Sequence, residues 1–222
     1  HPVHITSWGD GDAPVLNNEI SISQVPNENV VISNLQVTGG MGIKVSSNIL
    51  VTDTEFTETL VSVRSSENIT LHDSSISYTT VDADNGSGVT QGFLAVDTDG
   101  LLLEGNVFHH NGWEDDYNMD GTGGAPDMYS HNVYLQWDTL DVTYRDNISS
   151  QSSSVGAQLR GGAFAVDNLY TDNNVAVSML GGNYKEFGYV GNFSFFADSV
   201  ITSSSYKDAQ GIGGEGWGVV NS

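Results

Sequence analysis

The chain has 222 residues, enough for one domain with a core of ordinary size, and no cysteine, so neither disulfides nor thiolate metal sites hold it together. Six Lys plus Arg against 28 Asp plus Glu give a formal charge of −22, which argues against nucleic acid and against an anionic membrane surface as partners. No apolar run approaches the roughly 18 residues a membrane span needs, so no membrane insertion is expected, and the acid surplus suits salt-rich or calcium-rich surroundings.

In chain order, the first segment is HPVHITSWGDGDAPVL at 1–16, a strand and turn with no capping element, methionine or signal sequence before it. The chain closes on EGWGVVNS, equally without a cap. Solenoid cores need covered ends, so a processed or truncated chain, or one section of a larger assembly, is expected. Between these ends, 26 glycines, few prolines and many Ser, Thr, Asn and Asp separate short β-branched runs, and no segment keeps a 3.6-residue apolar period for three turns.

From residue 32 a short pattern recurs: an apolar residue, any residue, then Asn, Asp or Gly, with another apolar residue shortly after. It reads ISNLQV at 32–37, VTDTEF at 51–56, LHDSSI at 71–76, LEGNVF at 103–108 and YRDNIS at 144–149, with fainter copies AVDNLY at 165–170 and YVGNFS at 189–194. The turn column is Asn34, Asp53, Asp73, Gly105, Asp146, Asp167 and Gly191, with steps of 19, 20, 32, 41, 21 and 24 residues. Asn, Asp and Gly tolerate the left-handed backbone of sharp corners. A step near 20 residues is about one coil of a β-helix. A second strand follows each corner, at 43–45, 61–63, 93–96, 133–136, 157–160 and 176–179. Alternation puts Val45, Val63, Val96, Leu135, Leu159 and Met179 inside and turns Asp97, Tyr134, Gln136, Gln158, Arg160 and Ser178 outward. A β-sandwich also has many short strands, but the near-constant step favours the solenoid. The expected fold is therefore all-β, a single-stranded right-handed parallel β-helix of about seven coils forming one domain over 1–222.

Two steps are too long, by about 12 and about 20 residues, around 77–92 and 109–131. Insertions in repeat proteins map to loops on one face, often the binding face. Both precede the second strand of adjacent coils, so they are expected to rise side by side and wall the outward patch, forming a groove suited to a linear polymer. The larger loop holds His109, His110, Trp113, Glu114, Asp115, Asp116, Asp120, Asp127, Tyr129 and His131. An aromatic beside carboxylates can stack on a sugar while an acid works on the glycosidic oxygen. A histidine or tyrosine beside Arg160 can abstract a proton while the cation holds a carboxylate. The same residues are equally what a solvated acidic loop and a polar ladder would contain. Asp116, Asn118, Asp120 and Gly121, with Asp127 at the twelfth place, match the oxygen-ligand spacing of a calcium loop, although Asp replaces the usual Glu there and no flanking helices are evident. Asp82, Asp84 and Gly86 are a weaker echo. Gly39–Gly40, Gly161–Gly162 and Gly181–Gly182 read as corners rather than phosphate cradles, since no helix follows them. Asn68, Asn147 and Asn192 sit in N-x-S/T sequons.

The stretches HITSWGDGDAPVL at 4–16, GNVFHHNGW at 105–113, SHNVYLQ at 130–136 and GAQLRGG at 156–162 give the chain a resemblance to bacterial and phage right-handed parallel β-helix proteins of the pectate-lyase-like kind. The resemblance implies an extracellular or virion-tail protein acting on polysaccharide by β-elimination or hydrolysis. It equally implies a tailspike or fibre segment that grips a host glycan without cutting it, as a homotrimer or between neighbouring segments of an assembly. The residues expected to carry catalysis are His131, Tyr134, Arg160 and His110. Asp97, Trp113, Gln136 and Gln158 are expected to bind substrate, and Asp116, Asn118, Asp120 and Asp127 to hold calcium.

Overall fold

A computed structural model describes residues 2–25, 29–81, 90–114, 129–179, 193–204 and 216–220. Among these residues there is no helix; the fold is all-β, and every pairing between strands is parallel. Each strand pairs with one lying roughly one repeat further along the chain, so that two large sheets, of 14 and 8 strands, stack like residues over one another. This arrangement is compatible with a β-helix-like solenoid and excludes the antiparallel sandwich.

The corners explain why this sequence winds as it does. Asn34, Asp53, Asp73, Gly105, Asp146 and Asp167 all take positive φ, at 55°, 47°, 44°, 68°, 55° and 56°. The next member of the column is Asp198, at φ 49°, within FADSVI. The sequence had pointed to Gly191, which lies outside the described residues. Each corner leads into a short strand of the eight-stranded sheet, such as Glu55–Thr57, Ser75–Ser77 and Val107–His109, whose middle residues Phe56, Ile76 and Phe108 are fully buried. In the 14-stranded sheet Ile32, Val51, Leu71, Leu103, Tyr144 and Ala165 form one interior stack, and Ile43, Val63, Ala95, Leu135 and Leu159 form another.

After the Asn34 corner comes the buried apolar Leu35; from Asp53 on, the residue after the corner is polar and joins a ladder that runs inside the fold. Ser74 N–H donates to Asn106 Oδ1, Asn106 N–H to Asn147 Oδ1 and Asn147 N–H to Asn168 Oδ1, each at 3.0 Å. The Asn147 and Asn168 side-chain amides donate in turn to the carbonyls of Leu103 and Tyr144, at 2.9 and 3.0 Å. A second ladder runs through Thr79, Asn111, Asn132, Ser152 and Asn173. Buried amides so fully matched lock the register of neighbouring windings, because a one-step slip would strand several polar groups at once.

Three side-chain orientations differ from expectation. Val45 occupies a corner at φ 51°, two residues past the interior Ile43, and is 47% exposed. The strand Phe93–Glu104 alternates from the buried Phe93 and Ala95, which turns Val96 outward in register with Arg64. Ser178 was expected outward and is buried, at 2% exposure, like the rest of the strand Val175–Ser178.

The two long steps leave from adjacent windings. Thr80–Val81 pairs in parallel with Trp113–Glu114, so the departing limbs run side by side. The returning limbs do too: Thr90 N–H donates to Ser130 Oγ at 3.1 Å, and Gly92 N–H to the His131 carbonyl at 3.0 Å.

Candidate functional site

The outward residues of the strands that follow the long steps form a floor two columns wide. One column is Gly42, Ser62, Leu94, Tyr134 and Gln158. The other begins Lys44, Arg64 and Val96, and the same register carries it on to Gln136 and Arg160. Tyr134, Gln136, Gln158 and Arg160 are therefore brought together, all half-buried. Arg160 Nη1 donates to Tyr134 Oη at 2.8 Å and to Gln136 Oε1 at 3.1 Å. No carboxylate lies within salt-bridge distance of Arg160 among the described residues. A half-buried guanidinium satisfied only by neutral groups keeps its charge available to a ligand.

His131 stands behind Tyr134, with ring centroids 5.2 Å apart, and is 5% exposed. Its Nδ1 accepts the Val155 N–H at 3.3 Å, and its backbone N–H donates to Gln91 Oε1 at 2.8 Å. Burial and, after it, the nearby Arg160 push its pKa down to about 3, so the imidazole is neutral at any ordinary pH. With Nδ1 accepting, the ring proton belongs on Nε2. Gln91, which sequence reasoning passed over, ties the two returning limbs together, since its amide also donates to the Tyr129 carbonyl at 2.7 Å.

His110 and Trp113 form a different cluster, at the base of the departing limbs. Their rings stack at 5.6 Å, and Tyr78 lies 5.1 Å from His110 and 5.4 Å from His109. Trp113 is 2% exposed and donates its indole N–H to the Gln151 carbonyl at 2.8 Å, so its ring is packed rather than offered to a ligand. His109 Nδ1 lies 2.9 Å from Ser150 Oγ, and burial lowers its pKa. His110 takes φ 53°, which makes it the corner residue here. This cluster packs the base of the departing limbs together.

Asp97 sits on the next corner, exposed at φ 51°, where its N–H donates to Asp138 Oδ1 at 3.0 Å. It lies at the rim, one residue past Val96. The calcium-type loop, Asp116, Asn118, Asp120 and Asp127, falls within 115–128, outside the described residues, as do Asp82, Asp84 and Gly86. Among the described residues no three His, Cys, Asp or Glu side chains gather as metal ligands. Of the sequons, Asn147 is buried in the ladder, Asn68 is exposed and Asn192 is outside the described residues.

Compared with protein-family models, curated proteins and solved structures, the chain matches none.

Proposed function

We propose that the chain is a right-handed parallel β-helix of about seven coils, secreted or carried on a virion tail, that binds an acidic polysaccharide on this floor and cleaves it by β-elimination. The observation that carries this reading is Arg160, whose guanidinium has no carboxylate partner among the described residues and donates to the phenol oxygen of Tyr134 at 2.8 Å. Arg160 pairs with the carboxylate of a uronate and draws charge from the adjacent C–H, easing removal of its proton. Tyr134 takes that proton on its Oη as a phenolate, the electron pair forms a new C=C bond, and the glycosidic C–O bond breaks. The departing oxygen receives the proton from the same phenol.

His131 is neutral, buried and pinned at Nδ1, so it acts as a positioning residue that fixes the Tyr134 ring rather than as the base. Gln136 holds the guanidinium from the other side, and Gln158 offers an amide to sugar hydroxyls. Calcium on the acidic loop would bridge further carboxylates of the polymer.

The test is incubation with polyuronates and with neutral glycans. Appearance of unsaturated-uronate absorbance that disappears in Arg160→Ala and Tyr134→Phe supports the reading. New reducing ends without that absorbance mean hydrolysis, and binding without cleavage means a receptor-binding segment; either result overturns the lyase.

A further inference from the structure

The chain carries six cations, four of them described: Lys44, Arg64, Arg145 and Arg160. Arg145 pairs with Glu104 at 2.7 Å on another face. The other three share one outward column of the 14-stranded sheet, continuous through Val96 and Gln136. Lys44 and Arg64 are register neighbours and exposed. Among the described residues neither has a carboxylate within salt-bridge distance, although the chain holds 28 acids. Two exposed cations side by side repel each other, and each could have been paired cheaply in so acidic a protein. The position beside this column is also uncharged, from Gly42 through Gln158, until the carboxylate of Glu19 approaches Gly42 at its first winding.

We infer that this column is an extended anion-binding track, on which a linear polymer bearing regularly spaced carboxylate or sulfate groups lies along the stacking axis from Arg160 to Lys44. The inference rests on the reading that the substrate is an acidic glycan, and it adds its path and length. Windings lie about 4.8 Å apart, so the four steps from Lys44 to Arg160 span roughly 19 Å. Arg160 works at the reacting unit, while Lys44 and Arg64 hold anionic groups several units away. They contribute affinity only for chains long enough to reach them, through contacts that salt weakens. The separation of charges explains how a chain of −22 accepts a polyanion: on the approach face, among the described residues, Lys44, Arg64 and Arg160 stand without a salt-bridged acid.

The experiment is titration of the whole protein with size-fractionated oligouronates and, separately, sulfated galactan oligosaccharides, read by calorimetry at two salt concentrations. Lys44→Gln with Arg64→Gln should weaken binding of long oligomers about tenfold, leave dimers unchanged and flatten the salt dependence. Charge reversal to Glu at both positions should weaken it further. Loss of binding in Arg160→Ala with no effect of the double variant at any length overturns the track and leaves the lyase reading standing. Failure of every anionic oligomer to bind the wild type overturns both. Binding of the sulfated but not the uronate series keeps the track and removes the lyase.

Discussion

Replacing Asn147 by Ala tests whether the buried ladder holds the windings in register. In the folded protein Asn147 Oδ1 accepts the Asn106 N–H at 3.0 Å and the Asn106 side-chain amide at 3.1 Å, and its own amide donates to the Leu103 carbonyl at 2.9 Å. Alanine takes this partner from the Asn106 N–H and the Leu103 carbonyl in a site too buried for water to replace it, while the Asn106 amide keeps its bond to the Leu71 carbonyl at 2.8 Å. At about 1–3 kcal/mol for each of the two stranded groups, with some relaxation, the loss should be about 2–5 kcal/mol. That is a large part of the roughly 5–15 kcal/mol that holds a domain of this size together. Asn147→Ser should cost less than Ala, because Ser74 already shows the serine solution in the same column, accepting the Thr54 N–H at 3.1 Å and donating to the His72 carbonyl at 2.9 Å. The comparison is Asn68→Ala, which removes an exposed 3.4 Å contact to Asn48 and places alanine at φ 52°, and should cost about 1 kcal/mol. Urea unfolding followed by circular dichroism gives the ranking, and amide exchange at Asn106 and Thr54 reports the local opening. An Asn147→Ala cost below about 1 kcal/mol, or equal to that of Asn68→Ala, refutes the ladder as the register lock.

His131 gives a pH prediction. Its folded pKa, about 3, lies below the ordinary 6.5, so the unfolded chain takes up the proton first as pH falls. The contribution is therefore fully present above pH 6.5 and is lost at up to about 1.4 kcal/mol per pH unit on the way to pH 3. His131→Asn, which retains an acceptor for the Val155 N–H, should show a flatter decline over that window. Parallel pH profiles for the two proteins would count against a neutral, buried His131. At the reactive pair, Arg160→Lys keeps the charge but loses the planar fork that serves Tyr134 and Gln136 together, and should lower kcat about 100-fold or more with intact circular dichroism. Activity near wild type in Arg160→Lys would show that only a point charge is needed there.

The corners were legible because their chemistry is local. A positive φ selects Asn, Asp or Gly from the backbone alone, and that requirement marks Asn34, Asp53, Asp73, Gly105, Asp146 and Asp167 without knowledge of the fold. The column was lost at Asp198, where the neighbour is Ser199 instead of an asparagine and the step from Asn168 is 31 residues. The facing of Tyr134, Gln136, Gln158 and Arg160 followed from period-two alternation, and their shared floor from equal phase in successive repeats. What alternation could not supply was the corner at Val45, which takes that residue out of the core; at Val96 the period holds, but its phase is set by Phe93 and Ala95. Nor could it reveal that Trp113, attractive as a sugar platform, is packed against His110 with its indole N–H spent on Gln151. Lys44 and Arg64 were readable in principle, since each occupies the phase of Arg160 in its own repeat, but single cations in an acidic chain attract no notice until registers are drawn.

Net charge misled for a related reason. Eight aspartates, at 53, 73, 97, 141, 146, 167, 172 and 198, adopt positive φ, so a good share of the acid serves the corners that let the chain turn. Asp53, Asp73, Asp146, Asp167 and Asp198 stand in one column at the corners between strands, and the floor residues need no left-handed backbone at all. The floor is thus free to carry another charge, and it carries cations. A total of −22 describes the geometry of turning more than the surface a ligand meets. Acidic corners set apart from an uncharged or cationic floor would also align an anionic chain with the stacking axis, since any crosswise placement drives it towards carboxylates.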